Sequence, residues 1–137
     1  MKRIKSNKLA SQSGTTLIEL SVVIAVLLLL ATVLFIGVAG WKKGANQAAS
    51  IVTIATIQKA IRGYENMNQL NDGAAGYTIA NLVPNYFAAA PIDPATNAAY
   101  GDIGHIPNPG EVFATSGDAG VNAQLAAMKA NGTTASW

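Results

Sequence analysis

The stretch Ser13-Gly14-Thr15-Thr16-Leu17-Ile18-Glu19-Leu20 opens an apolar run that decides how the rest of the chain is read. From Leu20 to Trp41 no charged residue occurs, and Val, Leu, Ile, Ala and Phe supply nearly all positions. As a helix these 22 residues rise about 33 Å, enough to cross the roughly 30 Å hydrocarbon core of a bilayer. Glu19 stands at the start of the run as a lone carboxylate, five residues after a glycine. A buried carboxylate without a partner costs several kcal/mol or titrates to neutral, so this residue demands a partner or a purpose.

Charge on either side of the run is unequal. Lys2, Arg3, Lys5 and Lys8 precede Gly14, whereas all seven acids (Glu19, Glu65, Asp72, Asp93, Asp102, Glu111 and Asp118) come after it. The formal net charge of +2 therefore belongs to the first residues. If the chain is cut after Gly14, five basic and seven acidic side chains remain, a net charge of −2. No nucleic-acid partner is expected, because the basic balance is confined to a removable leader and no aromatic residues interleave with basic ones after Trp41. Lys42 and Lys43 close the run directly. The positive-inside bias places the N-terminus in the cytoplasm and the rest outside. Cysteine is absent, so a disulfide framework, a thiolate metal site and a cysteine nucleophile are excluded.

Residues 1–14 read as a basic, structureless leader. An ordinary secretory signal has an apolar core of 7–15 residues followed by its cleavage site. Here the run is longer, and the small residue Gly14 comes before it. A cut at that point leaves the whole hydrophobic helix on the mature protein. A plain single-pass anchor gains nothing from Glu19 and loses insertion energy, about 2.5–3.5 kcal/mol for an acid near the helix centre and less at its edge.

Gly14 followed by Thr15-Thr16-Leu17-Ile18-Glu19-Leu20-Ser21-Val22-Val23-Ile24 resembles the class III signal of prepilins, the group that includes type IV pilins and the pseudopilins of type II secretion. The resemblance implies cleavage after Gly14 by a membrane prepilin peptidase, N-methylation of the new terminus at Thr15, and filament assembly through Glu19. Thr15 departs from the family, which most often has Phe there. In the assembled state the Glu19 carboxylate is expected to pair with the Thr15 α-amino group of a neighbouring subunit. Such a pair is worth far more in low dielectric than on a surface. It would also set the axial stagger, as a buried polar residue sets register in a coiled coil. The implied partners are further copies of the chain in a helical filament, prepilin peptidase, and an inner-membrane assembly platform with minor pilins. The implied location is the inner membrane, then a periplasmic pseudopilus or a surface pilus.

Beyond the run, Ile54, Ile57, Ile61 and Tyr64 recur at spacings of three, four and three, a narrow apolar stripe on a continuing helix. Lys59 falls on the opposite side and Arg62 on the flank. Gly63, Asn66, Asn68, Asn71 and Asp72-Gly73 announce the helix end. One helix from Thr16 to about Glu65 is predicted. Many pilins carry a proline about 22 residues after the cut. Here that position is Ile36, and Gly37 and Gly40 predict at most a local loosening.

From Asp72 the composition turns to Ala, Gly, Asn, Thr and Pro. Tyr77–Leu82 fits one helical turn or a connecting segment. Leu82-Val83-Pro84-Asn85-Tyr86-Phe87, then Pro91-Ile92-Asp93-Pro94 and Tyr100, resembles the loop of major pseudopilins, although no Trp follows Pro94 and Tyr100 comes one residue late. The prolines predict a rigid extended connection without helix, with Tyr86 and Phe87 packed on the Ile54/Ile61 stripe. Strands are predicted around Ala99–Ile103 and Glu111–Thr115, with a turn at Pro107-Asn108-Pro109-Gly110. Val121, Leu125 and Met128 predict a short helix capped by Asp118 and ended by Asn131-Gly132.

The organisation expected is thus a cleaved leader (1–14), a transmembrane and assembly helix (15–41) and a periplasmic or extracellular pilin-like domain (42–137). The fold class is α+β: a helix over about 16–65 packed on a small domain with a short antiparallel sheet. No enzymatic set is found. His105, the one histidine, sits among Gly104, Ile106 and Pro107 and reads as a solvent-exposed loop residue. No cofactor is expected. Some major pseudopilins bind Ca²⁺ in their C-terminal loop, and Asp93, Asp102 and Asp118 are the oxygen donors that resemblance offers, although their spacing matches no EF-hand loop. Asn131-Gly132-Thr133 has the composition of a glycosylation sequon. The competing class is a single-pass, membrane-anchored binding domain that does not polymerise.

Overall fold

The computed structural model describes the backbone of residues 8–137 and side chains from Thr16 onward. The first seven residues of the expected leader, and the surroundings of Gly14 and Thr15 at the expected cleavage point, lie outside the described residues. Helix α1 spans Lys8–Asn68. It starts earlier than predicted, because no proline interrupts Lys8–Gly14 and Leu9, Ala10 and Gln12 are good helix formers. It remains helical through Gly37 and Gly40, the positions that predict a loosening. Two compact units are distinguished, one ending at Trp41 and the other covering Lys42–Trp137.

Within the first unit, from Leu20 to Trp41, the helix is apolar on every side and its large side chains stand exposed. Leu17, Leu29, Leu34, Phe35 and Trp41 are all at least 66% exposed. Its polar interruptions satisfy themselves locally: Ser21 donates to the Ile18 carbonyl at 2.8 Å and Thr32 to the Leu28 carbonyl at 2.8 Å. The described part of α1 contains a segment long and apolar enough to span a membrane, with none of it buried.

In the second unit α1 buries the stripe predicted for it. Ile54, Ile57 and Ile61 are fully buried with Leu82, Ile106, Phe113 and Val121, and Tyr64 packs at the margin. Full burial of each such side chain is worth about 1.5–3 kcal/mol. The helix ends three residues beyond the expected point. Gln69 takes the left-handed conformation (φ 52°) and the Leu70 amide donates to the Glu65 carbonyl at 3.0 Å, the bond of a Schellman ending. Gly63 lies inside the helix instead of closing it. A Cβ there would come 3.3 Å from the Tyr86 ring.

The small domain is α+β, as expected, but it has two short sheets instead of one. Ile79–Leu82 forms a 3-10 turn. Strand β1 (Ile92–Asp93) pairs antiparallel with β2 (Ala98–Ala99), with Ile92 opposite Ala99. This hairpin lies in the connection predicted to be merely extended. Asn97 adopts φ 57° and donates its N–H to the Asp93 carbonyl at 2.7 Å, closing the turn after Pro94. Strand β3 (Gly101–Asp102) pairs antiparallel with β4 (Ala114–Thr115), where the two predicted strands lie. Tyr100 separates the two sheets, because its ring turns into the core and its hydroxyl donates to the Ser50 carbonyl at 3.3 Å. The Pro109-Gly110 turn forms as predicted, with Gly110 at φ 78° and the Glu111 amide bonded to the Asn108 carbonyl at 2.9 Å. Helix α2 (Ala119–Ala130) buries Val121 and Leu125.

Candidate functional site

Glu19 is exposed and helical at the head of the apolar span, and among the described residues it has no ion-pair or hydrogen-bond partner. Ile18 and Leu20, its chain neighbours, are 65% and 57% exposed. Chemically, the helix presents a continuous apolar surface carrying one carboxylate at one end. Such a surface is stable only against lipid or other apolar helices, and the carboxylate only against water or a cation.

In the small domain, each of the three acids offered as calcium donors is engaged by hydrogen bonds within the fold. Asp93 is fully buried. It accepts hydrogen bonds from the hydroxyls of Ser50 and Ser116 and from the Ala95 N–H at 2.9 Å. Burial pushes its carboxyl up, but the bonds from Ser116, Ser50, Ala95 and Thr96 outweigh this and hold it below the ordinary carboxylate value. Asp118 caps α2, accepting from the Val121 N–H at 3.0 Å and from Gln47 Nε2 at 2.9 Å, and these bonds lower its pKa. Asp102 accepts from the N–H groups of Ile79 and Gly104, both at 3.1 Å. Asp93 and Asp118 share Ser116, whose Oγ also accepts from the Asp118 N–H at 2.9 Å. Asp102 belongs to the other sheet. Among the described residues no three His, Asp or Glu side chains gather in a metal-binding group.

His105 is half-buried and paired, where a solvent-exposed loop residue is expected from the sequence. Its Nδ1 lies 2.9 Å from the Ile103 carbonyl and its Nε2 lies 3.1 Å from Glu111 Oε2. Both ring nitrogens thus face oxygen acceptors. Only the imidazolium can donate to both, so Glu111 first and the Ile103 carbonyl second raise the histidine pKa. Glu111 is held low mainly by the Asn108 N–H at 3.0 Å and then by His105. Nearby, Arg62 Nη1 bonds Glu65 and Asp72, each at 2.8 Å, while its Nη2 donates to the Asn108 carbonyl at 3.0 Å. These contacts tie the end of α1 to the Pro109-Gly110 turn.

Sequence reasoning misses the polar residues that join α1 to the sheets. Ser50 and Gln58 are buried. Gln58 donates from Nε2 to the Glu111 carbonyl at 2.8 Å and accepts the Phe113 N–H at 2.8 Å, so its amide replaces a neighbouring strand. Both residues share the helical period of Ile54 and Ile61. That phase is the available signal, and polarity conceals it.

No family model, curated protein or solved structure matches this chain.

Proposed function

We propose that the chain is a structural subunit of a type IV filament, either the pseudopilus of type II secretion or a type IV pilus. The observation that carries this reading is the coincidence, within one stretch, of Gly14, Glu19 and an apolar helix whose large side chains stand exposed. In the proposal, prepilin peptidase cuts after Gly14 and Thr15 becomes the new, N-methylated terminus. The subunit waits in the inner membrane with its N-terminus in the cytoplasm. It then leaves the lipid by packing its helix against those of other copies on an assembly platform with minor pilins. Glu19 then pairs with the Thr15 α-amino group of a neighbour. The carboxylate's lack of a partner within the described chain is what such an intermolecular pair requires. The domain from Lys42 onward forms the outer part of the filament and carries out no catalysis.

N-terminal sequencing of the mature protein tests the first step, with a start at Thr15 expected and a start at Met1 refuting it. Glu19→Ala tests the second: cleavage should survive while filaments, seen by shear fractionation and electron microscopy, should be lost. Normal assembly of Glu19→Ala would sink the pairing argument. Cleavage with no filament from either form would instead favour the membrane-anchored binding domain.

A further inference from the structure

The last turns of α1 and the segment around Tyr86 border an open cleft of about 610 Å³ lined by Tyr64, Met67, Asn68, Asn85 and Tyr86. That size lies within the range of small-ligand sites, about 300–1,000 Å³. Gly63 makes room for it by letting the Tyr86 ring lie close to the helix. Tyr64 stands edge-on to Tyr86 with ring centroids 6.3 Å apart, and a third ring, Tyr77, braces Tyr64 from 6.0 Å. The polar groups of the cleft are underused. Tyr86 donates its hydroxyl to the Met67 thioether at 3.0 Å, a weak acceptor. Asn68 donates to the Tyr64 carbonyl at 2.8 Å, which leaves its Oδ1 without a donor among the described residues. Asn85 is exposed, and its side-chain amide has no hydrogen-bond partner among the described residues. Met67 is 80% exposed, an apolar side chain held at the rim. Among the described residues no charged side chain lines the cleft.

We infer that this cleft binds a neutral carbohydrate, one ring of a polysaccharide or oligosaccharide. A pyranose offers an apolar C–H face to Tyr86, Tyr64 and Met67. Its hydroxyls, each donor and acceptor at once, match the Asn85 amide, Asn68 Oδ1 and a Tyr86 hydroxyl released from a thioether. A charged ligand would lose hydration here without meeting a countercharge, and a wholly apolar one would bury the Asn85 amide and Asn68 Oδ1 unpaired. This recognition is independent of filament assembly.

The test uses the full-length chain in a zwitterionic detergent free of sugar, with cellotriose and triacetylchitotriose as probes. Saturation-transfer NMR should show transfer to ring C–H protons of at least one probe, with a dissociation constant on the order of millimolar. Asn85→Ala removes an exposed side chain that makes no hydrogen bond among the described residues, and Tyr86→Phe keeps the ring while deleting the hydroxyl. Each should weaken binding about fivefold, the loss of one ordinary hydrogen bond. Absence of transfer to both probes overturns the assignment. So does binding that Asn85→Ala leaves unchanged, because the sugar would then lie elsewhere.

Discussion

Replacing Gln58 by leucine tests whether a side-chain amide acts as a missing strand. Gln58 is 1% exposed, and it holds the Glu111 carbonyl and the Phe113 N–H at 2.8 Å each. Leucine fills similar space but offers neither donor nor acceptor, so two backbone groups lose their partners. A buried group left unsatisfied costs about 1–3 kcal/mol. The Phe113 amide lies in the core and bears the full cost, whereas water can partly reach the Glu111 carbonyl. The sum is about 2–4 kcal/mol, a large fraction of the roughly 5–15 kcal/mol typical of a whole domain. With a urea m-value of about 1–1.5 kcal/mol/M for a unit this size, the midpoint should fall by about 1.3–4 M. Trp137 fluorescence in a Trp41→Phe background is a suitable probe, since only two tryptophans occur. Amide exchange at Phe113 reports the bond itself and should accelerate more than exchange elsewhere in the core. Gln58→Glu adds a pH dependence. Its carboxylate still accepts from Phe113 but faces the Glu111 carbonyl with a second acceptor, so the variant should be weak at neutral pH. It should recover as acid supplies a proton to donate. A Gln58→Leu protein within about 0.5 kcal/mol of the parent, with unchanged Phe113 exchange, would refute the substitute-strand role.

Asp93→Asn should destabilise the small domain by about 2–3 kcal/mol at neutral pH, because one amide group then turns a donor toward the donating hydroxyls of Ser50 or Ser116. A depressed carboxyl stabilises the fold above its unfolded pKa and ceases to do so as pH falls through the folded value. The difference between parent and variant, read by urea unfolding, should therefore shrink in acid below about pH 4. The His105–Glu111 pair titrates in the opposite direction at its histidine end. A raised histidine contributes fully below its unfolded pKa of about 6.5 and is lost as pH rises through the folded value. Stability of the parent relative to His105→Gln should fall as pH rises above about 6.5, and an unchanged difference would mean that the contact with Glu111 carries no charge.

Much of the fold is legible in the sequence because period and punctuation are local properties. Ile54, Ile57 and Ile61 announce a buried helical face by spacing alone, and all three are buried. Pro109-Gly110 specifies its turn through a fixed φ followed by a positive one, and Asp118 declares itself a cap by standing just before Val121 and Leu125. The departures have a common origin in partners distant along the chain. The β1–β2 hairpin escapes a local reading because Asp93 is held by Ser50 and Ser116, residues 43 and 23 positions away. His105 has the local character of a loop residue because Glu111 reaches it only after the intervening turn folds back.

The amino-acid order by itself determines the long apolar helix, the lone carboxylate at its head, the asymmetry of charge and the α+β character of the small domain. These depend on hydrophobic period, helical rise and transfer energy, which act over a few residues at a time. Only the tertiary structure decides the use of the polar side chains. It divides one expected sheet into two at Tyr100, turns Gln58 into a substitute strand and buries Asp93 among hydroxyls. It also raises an open cleft of tyrosines and asparagines around Gly63. The physical reason is that a buried polar group must find its partner wherever the fold brings one, and that distance in space is not written in the spacing of the residues.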